Sequence, residues 1–321
     1  MNRWRFTGHC LAAALFASGA AYAQSYPVKP VVFYVPFAAG SATDHLARAL
    51  GQGMTAETRH NVIIDNRPGA SGIIAAQAVA KAPADGYAVL IATNTTHAAN
   101  EHLFRKLPYD PVRDFTPVTT LARGGQVMVV HPQVPAKTVR EFIALARRQP
   151  GKLTFGSGSS SSRVAGELFQ QMAGIKLVHV PYKSNPMAVT DLAGGHIDMM
   201  ITDVVTGLPH VKSGKLRGLG VSSTTRLSLV PELPTIDEAG LKGYELTFWF
   251  AAYLPAKAPP AVTERLRELL VNAVKSAAAE RFFSTTGIEP FTMAAAELAR
   301  FQAAESAKWA KVIRAAGIEP E

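Results

Sequence analysis

Short apolar runs alternate with alanine-rich amphipathic stretches along nearly the whole chain, and that alternation limits the fold more than any other feature. Val31 to Val35, Val62 to Asp65, Ala88 to Ala92, Val127 to His131, Leu153 to Gly156, Leu177 to Tyr182, Ile197 to Ile201 and Leu216 to Val221 read as strands. Asp44 to Gly53, Ile73 to Ala80, Val139 to Arg148, Arg163 to Ala173, Met187 to Leu192, Ala261 to Ala279 and Ala294 to Ala316 read as helices. Apolar strands separated by helices are the pattern of parallel α/β units, in which crossover helices cover both sheet faces. Ligands of such sheets meet the loops beyond the carboxyl ends of the strands. Four loops are placed there: Gly40 to Asp44, Thr93 to His97, Gly156 to Ser162 and Tyr182 to Pro186.

Two further segments read as extended crossings, Val118 to Val130 through Arg123-Gly124-Gly125 and Leu246 to Leu254 through Trp249. A chain that leaves one α/β domain, builds a second and returns makes a two-strand hinge of this kind, and the length suits two domains. Domain 1 is then expected to comprise residues 24–123 and 248–321, and domain 2 residues 124–247. The alternative is a single wide sheet in which these segments are edge strands.

Arg3 and Arg5 precede the apolar run Leu11 to Ala17, and Ala21-Tyr22-Ala23 supplies small residues that a signal peptidase accepts. Residues 1–23 are therefore read as a cleaved export signal, with the mature chain starting at Gln24. The run is shorter than the roughly 20 residues of a membrane span. The single cysteine, Cys10, lies before the apolar core of the signal and lacks the approach expected of a lipidated cysteine. An exported chain with no cysteine left must rely on a large core rather than on disulfides.

The formal net charge of +9 is spread over dispersed lysines and arginines, with no basic run interleaved with aromatics, which argues against nucleic acid as a partner. Catalytic signatures are missing too. The serine-rich loop never completes Gly-x-Ser-x-Gly, Ser161 stands where a dinucleotide fingerprint needs glycine, and Lys215 is followed by Leu216 rather than by a phosphate-loop hydroxyl. The histidines lack metal-ligand spacing, so neither a metal nor a cofactor is expected. What remains is the loop Pro36-Phe37-Ala38-Ala39-Gly40-Ser41-Ala42-Thr43-Asp44, which sets small side chains against a helix start. Such a start presents free N–H groups and the positive end of the helix dipole, a place for a carboxylate. An ordinary strand-to-helix turn with a polar cap is the plainer alternative.

An ordered set of motifs then ties the chain to a family. Pro36-Phe37 with Gly40 and Asp44, Asp65-Asn66-Arg67-Pro68-Gly69-Ala70, Asp85-Gly86-Tyr87, Leu107-Pro108-Tyr109-Asp110-Pro111, Pro150-Gly151-Lys152-Leu153, Ala165-Gly166-Glu167-Leu168-Phe169, His179-Val180-Pro181-Tyr182-Lys183, Gly214-Lys215-Leu216-Arg217 and Leu233-Pro234-Thr235 occur in this order. In them the chain resembles the Bug-type receptors, the periplasmic substrate-binding components of tripartite tricarboxylate transporters. The resemblance implies an α/β, two-domain periplasmic-binding-protein fold of the Venus-flytrap, type II kind with a two-strand hinge. It also implies a monomeric periplasmic receptor, not an enzyme. Such a receptor closes over a carboxylate-bearing small molecule, a di- or tricarboxylate or an aromatic diacid, and delivers it to a large and a small membrane subunit. A soluble ligand sensor for a membrane signalling protein is the alternative, and a periplasmic hydrolase a more distant one.

The ligand-binding residues expected on this basis are Phe37, Ala39, Gly40, Ser41, Thr43 and Asp44 in the first loop, Thr95 and His97 in the second, Ser157, Ser159, Ser160, Ser161 and Arg163 around the third, and Tyr182 and Asp203 beyond it. Each has a plainer reading: a capped serine-rich loop, loop-bracing polar groups, a strand-end tyrosine, a helix-capping aspartate. Phe248, Trp249 and Phe250 are read as core or hinge residues rather than ligand-stacking ones. The chain departs from the family where Gly40-Ser41 replaces a glycine pair, where Ser184 replaces the glycine after Pro-Tyr-Lys, and where Arg163 stands in place of histidine. Arg163 is assigned one of two roles, a fork for a second carboxylate or a surface partner of Glu167.

Overall fold

The computed structural model describes residues 26–321, so the export signal and the start at Gln24 lie outside the described residues. Strands β1 (Val31–Val35), β2 (Val62–Asn66) and β3 (Ala88–Thr93) lie parallel in the order β2-β1-β3. Helices α1 (Ala42–Thr58) and α2 (Ile73–Ala80) make the crossovers. β3 pairs antiparallel with β9 (Thr247–Pro255), and β9 with the first part of β4 (Phe115–Val130). At Gln126, β4 leaves β9 and continues as the antiparallel neighbour of β7 (Met199–Asp203) and β8 (Arg217–Val221). The parallel strands β5 (Thr154–Ser157) and β6 (Val178–Pro181) complete the second half beyond β7.

The molecule is thus a two-lobed, mixed α/β fold in which one hydrogen-bonded strand path, β2-β1-β3-β9-β4-β7-β5-β6, curls through both lobes. β4 and β9 make the crossings, and Ser222 ties them together. Its hydroxyl accepts from Gln126 N–H at 2.8 Å and donates to the Leu246 carbonyl at 2.5 Å.

The period-2 alternation of the strands sends successive residues into two cores, one on each sheet face. Phe248 and Phe250 enter one with Phe33 and Leu46, while Trp249 and Tyr253 enter the other with Leu90 and Phe155. Trp249 is therefore the core residue expected of it, its indole N–H held by Glu305 at 3.0 Å.

The remaining helices are α3 (Asn100–Leu103), α4 (Val139–Arg148), α5 (Ser160–Ala173), α6 (Asn185–Ala193), α7 (Val204–Lys212), α8 (Pro260–Val274), α9 (Ala277–Thr286) and α10 (Ala295–Ala315). Three departures from the sequence reading have local causes. Ala261 to Ala279 is two helices, because the Ser276 side chain accepts from Ala279 N–H and so caps a new one. Val204 to Lys212, left unassigned in the sequence reading, is helical, with Asp203 capping its first turn. Thr95–Ala99, expected as loop, is a wide π-type turn leading into α3. Helix α10 packs on that turn and also on α5, so it spans both lobes.

Candidate functional site

The carboxyl ends of β1, β3, β5 and β7 and the crossing strands converge on a cleft of about 420 Å³, counting the space open to solvent. On its first wall, β1 ends at Val35 and the chain turns through Gly40, whose φ of +81° is the left-handed conformation that glycine adopts without penalty. The turn needs that conformation rather than space, since a Cβ at Gly40 would meet nothing within 4 Å. Ser41 then caps α1, its hydroxyl accepting from Asp44 N–H at 3.3 Å. The N–H groups of Ala42 and Thr43, the first helical residues, have no partner within the helix. Phe37, Ser41, Ala42 and Thr43 all line the cleft.

The second wall repeats the device from the other lobe. Ser159 caps α5 in a reciprocal box with Ser162, and Ser159 and Ser161 line the cleft. Asn185, at the start of α6, holds this wall together. Its carbonyl oxygen accepts from Gly158 N–H and the Ser162 hydroxyl, both at 3.1 Å, while its amide N–H donates to Asp203 at 2.9 Å. The floor is Thr93, Asn94 and Thr95 at the end of β3 with Gln126, Phe248 and Phe250 on the crossings. The lobes touch directly: Ala38 N–H donates to the Ser184 hydroxyl at 3.3 Å, Ser161 N–H to Thr95 Oγ1 at 3.4 Å, and Ser160 Oγ to Asn100 at 2.7 Å.

Of the residues expected from the sequence, Phe37, Ser41, Thr43, Thr95, Ser159, Ser161 and Asp203 are brought together at the cleft. The others are turned to different tasks. Ala39 and Gly40 are exposed at the rim. Asp44 faces back into the first loop, accepting from Gly40 N–H, Arg48 and Asn66, each at 3.0 Å. Burial pushes its carboxyl up, but these bonds outweigh burial and hold it below the usual range. His97 is fully buried and stacks on Tyr253. Ser157 Oγ pairs with His179 at 2.7 Å, Ser160 with Asn100, and the Tyr182 hydroxyl donates to Asp191 at 2.8 Å.

Arg163 takes neither of the roles weighed for it. It begins the second turn of α5, which aims it away from the cleft, and its guanidinium pairs with Glu321 at 2.7 Å. Glu167 instead accepts from Gln170. The sequence reading passed over Gln126 and Asn185. Gln126 carried one signal, as an isolated polar residue directly before the apolar run of β4, while Asn185 lay within the loop Tyr182 to Pro186 expected at the ligand without being named as a binding residue. Ser184 was singled out only as a departure from glycine, and Phe248 and Phe250 face the cleft as well as the core.

Asp203 is the one charged residue lining the cleft among the described residues, and its carboxylate is already taken by Thr206, through N–H at 2.9 Å and hydroxyl at 2.7 Å, and by Asn185. Among the described residues no arginine, lysine or histidine lines it. Anion recognition here would rest on helix starts, hydroxyls and amides.

Residues 46–318 match the family described as the tripartite tricarboxylate transporter family receptor. The chain belongs to this family. It is 34% identical over 309 residues to a protein from the tcbD–tcbE intergenic region of Pseudomonas sp. strain P51, covering 95% of this chain and 92% of that one. It is 31% identical over 298 residues to BugT of Bordetella pertussis, covering 92% and 91%. Among solved structures it resembles R. palustris Rpa4515 with adipate, with a TM-score of 0.89 and 35% identity over 92% of this chain and 100% of that one. It also resembles MatC from Rhodopseudomonas palustris with bound malate, with a TM-score of 0.85 and 27% identity over 90% and 100%. The receptors of this family are periplasmic binding proteins, and among the described residues no helix is long and apolar enough to cross a membrane.

Proposed function

We propose that this chain is a periplasmic receptor that captures a small carboxylate in its cleft without turning it over and hands it to the two membrane subunits of a tripartite transporter. One observation carries the reading: helix starts from opposite lobes, at Ala42 and Thr43 of α1 and at Ser159 and Ser161 around the start of α5, line the same cleft, which holds no cation among the described residues. Backbone N–H groups at helix starts hold an anion without the desolvation cost of a buried ammonium or guanidinium. The adipate and malate in the two R. palustris relatives fit this chemistry. The lobes are taken as residues 24–123 with 248–321 and 124–247; the exchange of β4 from β9 to β7 between Gly125 and Gln126 supports a division close to this point. Closure about β4 and β9 would bring both walls onto the ligand.

A thermal-shift screen of mono-, di- and tricarboxylates tests the reading. A true ligand at a hundred times its dissociation constant stabilises the fold by about 2.7 kcal/mol. A screen in which no acid raises the melting temperature overturns it. Ser41→Phe provides the local test, because a phenyl group there fills the approach to Ala42 and Thr43. Calorimetry should show binding weakened by at least about tenfold, while the lost cap costs the fold only about 1 kcal/mol. Unchanged affinity in a folded Ser41→Phe protein would place the carboxylate elsewhere.

A further inference from the structure

Helices α1, α7 and α9 enclose a groove of about 1520 Å³, counting the space open to solvent, that shares no lining residue with the ligand cleft among the described residues. Its walls come from both lobes, α1 with its packing neighbour α9 on one side and α7 on the other. Two of these helices also serve the cleft. Helix α1 puts Ala42 and Thr43 on the cleft and Arg48 on the groove, while α7, capped by Asp203 of the cleft lining, puts Val205 and Leu208 on the groove. Of the groove's apolar lining, Leu208 and Phe282 are buried and Val205 is half-buried, whereas Arg48, Lys212 and Arg281 are exposed. No aspartate or glutamate lines it among the described residues. Arg48 is offset by Asp44, 3.0 Å from its Nε. Lys212 and Arg281 form no ion pair among the described residues, so their charge is left to solvent.

The geometry points to this groove as the docking site of an acidic protein segment, which sets apolar side chains on Val205, Leu208 and Phe282 and carboxylates on Lys212 and Arg281. The inference rests on the transport reading above, since the segment then belongs to the partner that takes the solute from the receptor. A small anion would meet the cations and leave the apolar lining uncovered. A bilayer surface, nearly flat on this scale, does not enter a recess between three helices. A second copy of this chain would bring a like net charge. A segment with one apolar face and an acidic edge matches both parts of the lining, as in a helix or strand laid in a groove. Because the walls belong to different lobes, rotation about β4 and β9 changes the width of the groove, and a partner seated there senses whether the lobes have closed.

Selection of short random peptides, displayed on phage, against the mature protein tests the proposal. Enriched sequences should combine carboxylates with apolar residues. Synthetic copies should bind Lys212→Glu/Arg281→Glu about tenfold more weakly or worse, and their hold on the unaltered protein should fall as salt is raised. Lys152→Glu/Lys176→Glu makes the same change in net charge at exposed residues outside the groove, and should leave binding within about twofold. The enriched sequences and the salt dependence are read on the unaltered protein, so a misfolded variant does not remove the test. No enrichment, neutral or basic sequences, salt-independent binding, or equal losses in the two double variants would overturn the groove as an acidic docking site. Binding of phosphatidylglycerol vesicles, or self-association in sedimentation, that exceeds peptide binding and is abolished by Lys212→Glu/Arg281→Glu would overturn it too, by naming a different occupant. None of these readouts needs a solute. Failure of every acid in the thermal-shift screen would remove the carboxylate reading without moving the peptide result, and failure of the peptides would remove the groove while leaving that reading standing.

Discussion

Replacing Gly158 by alanine should destabilise the protein by about 3 kcal/mol and take ligand binding with it, the upper part of the range for forcing a group into a packed interior. A Cβ at this position would be driven into the backbone of Ser184 and Asn185, not into the end of a side chain that can swing away. The loop has no slack to yield, because Gly158 N–H already donates to Ser162 Oγ and to Asn185 Oδ1, both at 3.1 Å. Moving either contact disturbs the cap of α5 and the start of α6, the two elements that form the second wall of the cleft. Gly40→Ala is the matched control. Its Cβ has open space, so only the left-handed backbone is penalised, at about 1 kcal/mol. Urea unfolding of the two variants beside the parent checks the difference. A Gly158→Ala protein as stable as Gly40→Ala would mean that the second wall is looser than its hydrogen bonds indicate.

The strand and helix pattern was legible because periodicity is a local property, and so were the crossings, whose apolar runs are longer than a half-covered strand requires. The ligand loops were legible as loops for the same reason. Which of their residues turn to the cleft was not, because that depends on partners far away in the chain. Arg163 shows this most plainly: its position after the serine loop is equally compatible with the cleft and with the surface, and the choice is made by Glu321, 158 residues further on. Asp203 shows the reverse, a helix cap that also forms part of the cleft lining, since one carboxylate can hold Thr206 and still face the ligand space. Gln126 became visible only when β4 was seen to exchange partners at that residue. A polar side chain there lies at the crossing between the lobes, where its partners come from distant parts of the chain. Its side-chain amide meets Ser161 at 2.7 Å, a partner 35 residues further on.

Acid should unfold the protein through His97 before it affects most of the carboxylates. The imidazole is completely buried, stacked on Tyr253 at 4.0 Å and edge-on to Phe115 at 4.7 Å, with Nδ1 on Thr96 Oγ1 at 3.1 Å and Nε2 unpartnered. Burial alone pushes its pKa down to about 3, because nothing within reach would share a positive charge. The sign follows from linkage. Between about pH 6.5, where the unfolded chain takes up the proton, and about pH 3, where the folded one does, the unfolded state binds more protons, so stability is complete above this window and is lost as the pH falls through it. The slope approaches about 1.4 kcal/mol per pH unit, or about 2 kcal/mol between pH 7 and pH 5. His179, also pushed down to about 4 by burial and by Arg163, adds in the same direction. His97→Phe separates the two. The phenyl ring keeps both aromatic neighbours, Nε2 has no bond to lose, and Thr96 Oγ1 still donates to the Thr93 carbonyl at 3.1 Å, so stability at pH 7 should change by no more than about 1 kcal/mol. Between pH 7 and pH 5, however, the variant should lose about 2 kcal/mol less than the parent in urea unfolding, because the group that titrates is gone. Parallel acid limbs for the two proteins would assign the proton uptake to another group. A shallower limb would tie acid sensitivity to the π-type turn that carries Thr95 to the cleft, so that ligand binding should fail over the same pH range in the parent and persist to lower pH in His97→Phe.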